Sequence, residues 1–300
     1  MPPEPASSRP RPPAAPLVVA GFAVVLWGLT PVATKVAVEF VDPVVVAILR
    51  MSLAGAIAWP AVLLFRISPP KTRPLLMLLG ISCLTGMILF PLMFTVGQRM
   101  TSASHAALIL TVQPIFTGLV AATVDRRWPG RGWWLGSAIA LSGEIALVSA
   151  HASAAGAASL LGDAIVVAAG FIASMGYVAG GRLQQQGYPA LSATLWSVAI
   201  ASLVLAPLLP LLTTFDALAA APPVAWLGLA HLALGSTLAA YVAWYWSLGV
   251  GGIGRVGLMQ FFQTPTGVAA ALILLGEPLT LPLIVSGITI IAGVYIAQRR

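Results

Sequence analysis

The sequence predicts an all-α membrane protein of ten transmembrane helices, arranged as two inverted five-helix repeats. Composition, the length of the apolar runs and an internal repeat predict this fold. Of the 300 residues, 59% are hydrophobic and 8% are charged, and a soluble domain of this size cannot bury so much apolar surface. Several runs of about 20 residues are almost free of charge, which is long enough to cross a hydrocarbon core roughly 30 Å thick.

The apolar runs between loop signals give the predicted spans in chain order. They cover residues 17–36, 43–65, 74–96, 102–124, 132–150, 159–181, 190–212, 224–248, 253–275 and 280–298. Residues 1–16 include seven prolines, which favours a disordered cytoplasmic tail. We expect the first five-helix repeat over 17–150 and the second over 159–298.

The basic residues predict the orientation. With the N-terminus inside, twelve of the 15 basic residues face the cytoplasm, Lys35 and Arg99 lie outside, and Arg50 lies within the second span. Cytoplasmic loops of membrane proteins carry the excess of Lys and Arg. We therefore expect a multi-pass protein of the bacterial inner (plasma) membrane with both termini in the cytoplasm.

An internal repeat relates the two halves. ALILTVQPIFTGLVAATVD at 107–125 resembles GLMQFFQTPTGVAAALILLGE at 257–277, and LGSAIALSGEIALV at 135–148 resembles VSGITIIAGVYI at 285–296. An odd number of spans in each half forces the halves into opposite orientations. This architecture is typical of secondary transporters, which bind their solute near the middle of the membrane between the repeats.

Five blocks of sequence carry a family resemblance. They are LWGLTPVATK (26–35), AILR (47–50), AALILTVQPIFTGLVAA (106–122), TPTGVAAALILLGEPLT (264–280) and GITIIAGVYI (287–296). On these blocks the chain resembles the drug/metabolite transporter superfamily, and within it the EamA-type ten-span exporters, over nearly its whole length. The resemblance implies export of amino acids or other metabolites, and a plan similar to that of the bacterial aromatic amino acid exporter.

Two prolines predict helix breaks inside spans. Pro114 and Pro265 lie 151 residues apart, at matching places in the repeat. Each ring removes one helical hydrogen bond and frees the carbonyl four residues earlier, at Leu110 and Phe261. A carbonyl freed in this way must face a cavity or a partner helix, so the breaks indicate a solute site, although a kink that only improves packing stays open.

Three amides stand beside the prolines. Gln113 precedes Pro114, and Gln260 and Gln263 precede Pro265 at a spacing that places both on one helical face. An uncharged amide can bind the carboxylate and the ammonium of a zwitterion without carrying a fixed charge. The alternative is that these amides form hydrogen bonds between helices.

Aromatic and hydroxyl side chains are expected at similar depth in several spans. Tyr241, Trp244 and Tyr245 form a stripe at positions i, i+3 and i+4. The complete set of predicted contacts of this kind is Trp27, Thr30, Phe90, Phe94, Thr111, Ser174, Tyr177, Tyr241 and Trp244. Aromatic stripes also serve packing, and hydroxyls in spans often bond to their own helix, so the packing alternative remains beside the binding one.

Charges inside the spans are few. Arg50 is expected to form an ion pair with Glu39, Asp42 or Glu277, because these carboxylates are predicted near the same side of the membrane. Glu144 lies near the middle of the fifth span, and two roles stay open for it: a proton-coupling carboxylate, or a neutral acid that bonds to a neighbouring helix.

These patterns predict a secondary transporter that exports amino acids or related small metabolites, aromatic amino acids among them, by alternating access around a midplane cavity. The sequence has no paired carboxylates in one span, no HExxH and no nucleophile elbow, so we expect no enzyme, no cofactor and no metal. The expected partners are a small amino acid-like solute and membrane lipid, with no nucleic acid, for a monomer or dimer. A passive channel and a transporter of nucleosides or drugs stay open.

Overall fold

The computed structural model describes residues 14–100, 110–151, 160–267, 269 and 281–298. All regular secondary structure within these ranges is helical. The α-helices in chain order are α1 (Ala15–Gly28), α2 (Thr30–Val38), α3 (Pro43–Leu64), α4 (Arg73–Ile81), α5 (Phe90–Met100), α6 (Gln113–Asp125), α7 (Arg131–His151), α8 (Leu160–Gln185), α9 (Ala190–Leu205), α10 (Leu209–Leu212), α11 (Phe215–Ala219), α12 (Pro223–Ala230), α13 (Ala240–Gly251), α14 (Ile253–Val256) and α15 (Leu281–Gln298).

Among the described residues, six helical stretches are long and apolar enough to cross a membrane, which makes the chain a multi-pass membrane protein. They are Ala15–Val38, Pro43–Leu64, Arg73–Phe94, Leu160–Gln185, Ala190–Leu212 and Pro223–Gly251. Helices α7 and α15 coincide with the predicted fifth and tenth spans. Parts of the predicted fourth and ninth spans, and most of the predicted tail, lie outside the described residues.

Two stretches of π-helix interrupt the α-helical rods. Residues Ser82–Leu89 join α4 to α5, and His231–Ala239 join α12 to α13. The two stretches begin 149 residues apart, and Gly86 and Gly235 are the fifth residue of each. A π-helix is rare, and it often marks a functional site.

Residues without bulky side chains let the helices approach closely. The main core contains many buried alanines, among them Ala20, Ala54 and Ala173. A Cβ atom on Gly176 of α8 would lie only 2.9 Å from the Cα of Gly86, so α8 lies directly against the first π-helical stretch. This approach brings α8 to the centre of the bundle.

Helices α7 and α15 make the most extensive helix–helix contact in the described part of the fold. A Cβ atom on Gly293 of α15 would lie 2.7 Å from the carbonyl oxygen of Gly136 on α7 and 2.8 Å from the Cα of Ala140. Such distances leave no room for a methyl group, and a backbone has little freedom to move away. Glycine at position 293 therefore sets the separation of these two helices.

We predict that Gly293→Ala lowers stability by about 1–3 kcal/mol, because the added methyl group must push α15 away from α7. The measurement is the thermal unfolding of the purified protein in detergent. Gly287→Ala on the same helix is the matched control, since a Cβ atom there meets no atom within 4 Å. Equal melting temperatures for the two variants would contradict the proposed close approach.

Candidate functional site

Four aromatic side chains from three helices meet at the centre of the described bundle. Trp27 of α1 stacks on Tyr177 of α8, with ring centroids 5.4 Å apart and planes inclined by 28°. Tyr241 and Trp244 of α13 meet Trp27 edge-on, at 5.4 Å and 5.2 Å. Both also contact Tyr177, each at 5.9 Å. We call these four residues the aromatic quartet.

All four side chains of the quartet are buried, and Trp244 is completely so. The rings touch one another, so the quartet occupies its own space in this conformation. A solute ring could enter only by replacing one of these ring–ring contacts. In this conformation the four rings fill the centre of the described bundle.

Ser236 connects the quartet to two further helices. Its carbonyl oxygen accepts a hydrogen bond of 2.9 Å from the indole nitrogen of Trp27. Its hydroxyl lies 3.0 Å from the hydroxyl of Thr30 and 3.3 Å from Nη2 of Arg50. Residues from α1, α2 and α3 thus meet at one serine of the second π-helical stretch.

The two π-helical stretches present the polar groups that surround the quartet. In the second stretch, the Thr237 hydroxyl donates to the carbonyl of Leu232, five residues back, at 2.8 Å. That hydroxyl also accepts a hydrogen bond of 2.7 Å from Nε of Arg50. In the first stretch, the carbonyl of Gly86 accepts a 3.2 Å hydrogen bond from the Tyr241 hydroxyl. Both stretches therefore supply hydrogen-bonding groups to the centre.

Trp244 has an unpaired donor. Its indole Nε1 is buried and has no hydrogen-bond partner among the described residues. An indole nitrogen can only donate, and leaving a buried donor without a partner costs about 1–3 kcal/mol. The quartet thus contains a polar group that a bound acceptor would satisfy.

A second polar cluster lies one helical turn away along α8. The Thr117 hydroxyl lies 3.1 Å from Oε1 of Gln260, 3.2 Å from the Ser174 hydroxyl and 3.1 Å from the carbonyl of Gln113. Because Ser174 stands three residues before Tyr177 on α8, the cluster and the quartet share one helical face. We call Gln113, Thr117, Ser174 and Gln260 the amide cluster.

The amide cluster also has spare donors. The side-chain nitrogens of Gln113 and Gln260 are buried and lack partners within the described ranges. The Thr117 hydroxyl has one proton, so it can donate to only one of its neighbouring oxygens at a time. The cluster is polar and not fully satisfied, as expected of a site that exchanges partners.

The prolines stand where the backbone is irregular. Pro114 occupies the first turn of α6, directly after a turn at Thr111 and Val112. Pro265 lies in the helical residues 263–267, directly after the 3-10 segment Gly257–Phe262. A Cβ atom on Gly28 would lie 2.8 Å from Thr266, so this second break packs against the end of α1, beside Trp27.

The other predicted site residues differ in depth, and Phe90 packs against the core that contains the quartet. Phe90 and Phe94 stack on each other at 5.6 Å, both partly buried. Thr111 is buried, whereas Gln263 is only partly so. Gln260, and not Gln263, supplies the amide oxygen that reaches Thr117.

Two crevices of about 300 Å³ and 370 Å³ lie elsewhere on the described surface. Trp59 lines the smaller crevice and Trp246 the larger one. None of the predicted contact residues lines either crevice. The predicted site is therefore not one of these surface crevices.

Ser236, Thr237 and Thr117 were missed by sequence reasoning. One signal was present: Thr237, Tyr241 and Trp244 follow an i, i+4, i+7 spacing, which places them on one helical face.

Among the described residues, the partners of Arg50 are hydroxyls, whereas the expected partners were Glu39, Asp42 or Glu277. Arg50 donates to the hydroxyls of Ser236 and Thr237, while Asp42 accepts hydrogen bonds from the backbone N–H groups of Val44 and Val45 at the start of α3. Glu277 and the side chain of Glu144 lie outside the described residues.

A membrane-embedded bundle with a buried aromatic and amide centre has the form of a solute transporter. Comparison with known proteins agrees, because the profile of the EamA-like transporter family matches residues 15–149 and again 160–298. The chain belongs to this family, and it carries two copies of the family domain. The sequence-based resemblance is thereby confirmed.

Curated relatives of similar length extend over nearly the whole chain. The chain is 30% identical to proteins named "Probable amino-acid metabolite efflux pump" from Salmonella typhimurium, over 91% of each chain, and from Escherichia coli, over 93% of each. It is 28% identical to an uncharacterized transporter, YdeK, of Bacillus subtilis over 89% of this chain and 91% of the relative. A crystal structure with 17% identity superposes with a TM-score of 0.78, covering 94% of this chain and 98% of that one, and shows the same fold.

We predict that Thr117→Val destabilises the protein by about 1–3 kcal/mol, because the isosteric change deprives Gln260 of its described partner in the bundle. Thermal unfolding in detergent measures the effect. Thr123→Val on the same helix is the matched control, since the Thr123 hydroxyl is exposed and bonds only to the carbonyl four residues back in the described structure. Equal stabilities would show that the amide cluster contributes nothing to the fold.

Proposed function

We propose that the protein is a secondary exporter of amino acids or related small metabolites that works by alternating access. The solute binds among the aromatic quartet and the amide cluster, and it is exposed first to the cytoplasm and then to the outside. Aromatic amino acids fit this description, because an aromatic ring can replace one of the quartet's ring–ring contacts. The relatives named as amino-acid metabolite efflux pumps support the substrate class.

The observation that carries this proposal is the buried N–H of Trp244, a member of the aromatic quartet, which has no hydrogen-bond partner among the described residues. In a bundle surrounded by lipid, no bulk water is at hand to satisfy such a donor. A carboxylate or carbonyl oxygen of a solute would satisfy it.

Ten spans in two inverted repeats form the framework of the proposal. Three features support the repeat: the family domain matches twice, the π-helical stretches begin 149 residues apart, and Trp27 stacks on Tyr177, which follows it by 150 residues. Helices related by an axis in the membrane plane meet at that axis, where transporters of this design bind their solute. The two halves are residues 17–150 and 159–298.

The proposed setting is the bacterial inner membrane, with both termini in the cytoplasm. The distribution of basic residues supports this orientation. The exposed residues Arg66, Lys71 and Arg73 all precede or begin α4, and Arg126 and Arg127 follow α6. In the proposed topology all five face the cytoplasm.

Reconstitution into liposomes tests the proposed function. The vesicles are loaded with unlabelled amino acids, and the entry of labelled phenylalanine, tryptophan, leucine or threonine is followed with and without a proton gradient. We expect saturable uptake and counterflow for at least one of the four. Flux that rises linearly with concentration would indicate a channel, and the absence of flux for amino acids, nucleosides and polyamines alike would refute a transport function.

We predict that Trp244→Phe weakens the apparent affinity for the transported solute about 2- to 10-fold, since it keeps a ring but removes a hydrogen bond of about 0.5–1.5 kcal/mol. The measurement is the KM of uptake in liposomes. Trp246→Phe is the matched control, because Trp246 lies two residues away and lines a surface crevice. An unchanged KM for Trp244→Phe would remove the indole from the binding site.

A further inference from the structure

We propose that Arg50 binds the carboxylate of the transported solute, so that the site selects amphipathic acids over cationic amphiphiles. This inference rests on the proposed transport function and adds the charge of the solute to it. Neither the pattern of amides nor the relatives' names assign a role to this arginine.

Arg50 places a positive charge inside the helical bundle. Its two described hydrogen-bond acceptors, Ser236 and Thr237, are neutral hydroxyls. The ion pair between Arg182 and Asp125 lies far along the chain from Arg50. A guanidinium inside a membrane bundle is costly without a counter-charge, and a solute carboxylate would supply one.

Arg50 lies beside the aromatic quartet, because Ser236 bonds to both. Ser236 bonds to Arg50 through its hydroxyl and to Trp27 through its carbonyl oxygen. The guanidinium therefore lies at the edge of the aromatic quartet, where the acidic end of a solute would be found if its apolar end lay among the rings.

The guanidinium of Arg50 has more N–H groups than its described hydrogen bonds use. A guanidinium carries five N–H groups, and the bonds to Ser236 and Thr237 use one on Nε and one on Nη2. Three N–H groups remain beyond these bonds, and two of them can bind a carboxylate side by side. Arg50 is only partly buried, unlike the enclosed Trp244.

The hydrogen-bond donors of the quartet and the amide cluster are complementary to a carboxylate. Nε1 of Trp244 and the side-chain nitrogens of Gln113 and Gln260 have no hydrogen-bond partner among the described residues. All three atoms are donors. A region with surplus donors and a fixed positive charge favours an acceptor-rich, negatively charged group. A primary amine without a carboxylate would meet the wrong charge.

A set of four small compounds tests the inference on the unmodified protein. L-phenylalanine, 3-phenylpropionate, L-phenylalaninamide and phenylethylamine share one aromatic ring, but only the first two carry a carboxylate. Their affinities for the purified protein in lipid nanodiscs are measured by isothermal titration calorimetry. We expect both acids to bind roughly 10- to 100-fold more tightly than the amide and the amine, as charge-assisted hydrogen bonds imply.

Variants of Arg50 provide the second arm. We expect Arg50→Gln to reduce the preference for acids to about 3-fold or less. Arg50→Lys should keep part of the preference, because lysine retains the charge but cannot bind a carboxylate through two parallel N–H groups. Arg73→Gln is the control, since Arg73 is exposed at the start of α4, and it should keep the full preference. Gel filtration of each variant establishes that it is folded.

Equal binding of the acids and the amine by the unmodified protein would overturn the inference, and so would failure of all four compounds to bind. A folded Arg50→Gln protein that keeps the full preference would overturn it as well. If Arg50→Gln does not fold, the four compounds on the unmodified protein decide alone. Saturable uptake of any other solute in liposomes would leave the transport function standing while the inference fails, so the two failures are distinguishable.

Discussion

The hydrogen bonds that meet at Ser236 hold the centre of this protein together. They join Trp27 of α1, Thr30 of α2 and Arg50 of α3 through a single residue of a π-helical stretch. A bundle in lipid must satisfy its buried polar groups from within, so polar side chains gather where they can serve one another. The same place collects the aromatic rings, and their common location turns a packing centre into a candidate binding site.

The glycines and alanines let neighbouring helices pack close to this centre. Helix α8 reaches the first π-helical stretch because Gly176 lies against Gly86, and Tyr177, the next residue, then contacts Trp27. Helices α7 and α15 pack through Gly136 and Gly293, away from the quartet. The fold thus combines one tightly packed helix pair with a centre in which three donors have no described acceptor, an arrangement suited to a bundle that changes partners during transport.

Much of the helical pattern follows from the sequence, because hydropathy records which residues face lipid. The predicted second span, 43–65, agrees with Pro43–Leu64 to one residue, and helical spacing correctly put Tyr241 and Trp244 on one face. The contacts of Ser236 could not be predicted, since its partners stand up to 209 residues away and periodicity does not reveal a π-helix. Sequence patterns also do not reveal contacts between distant residues. Arg50 was therefore expected to meet nearby carboxylates, whereas its described partners are hydroxyls 186 and 187 residues away.

The central claim is that the quartet is a closed solute site rather than a permanent part of the core. The most direct test is an experimental structure of the protein in lipid nanodiscs with a saturating concentration of a transported solute. The account predicts density for the solute between Trp27, Tyr177 and Trp244, with at least one of the present ring contacts of 5.2–5.9 Å opened. Solute density in the surface crevices, with all four rings still in contact, would contradict it.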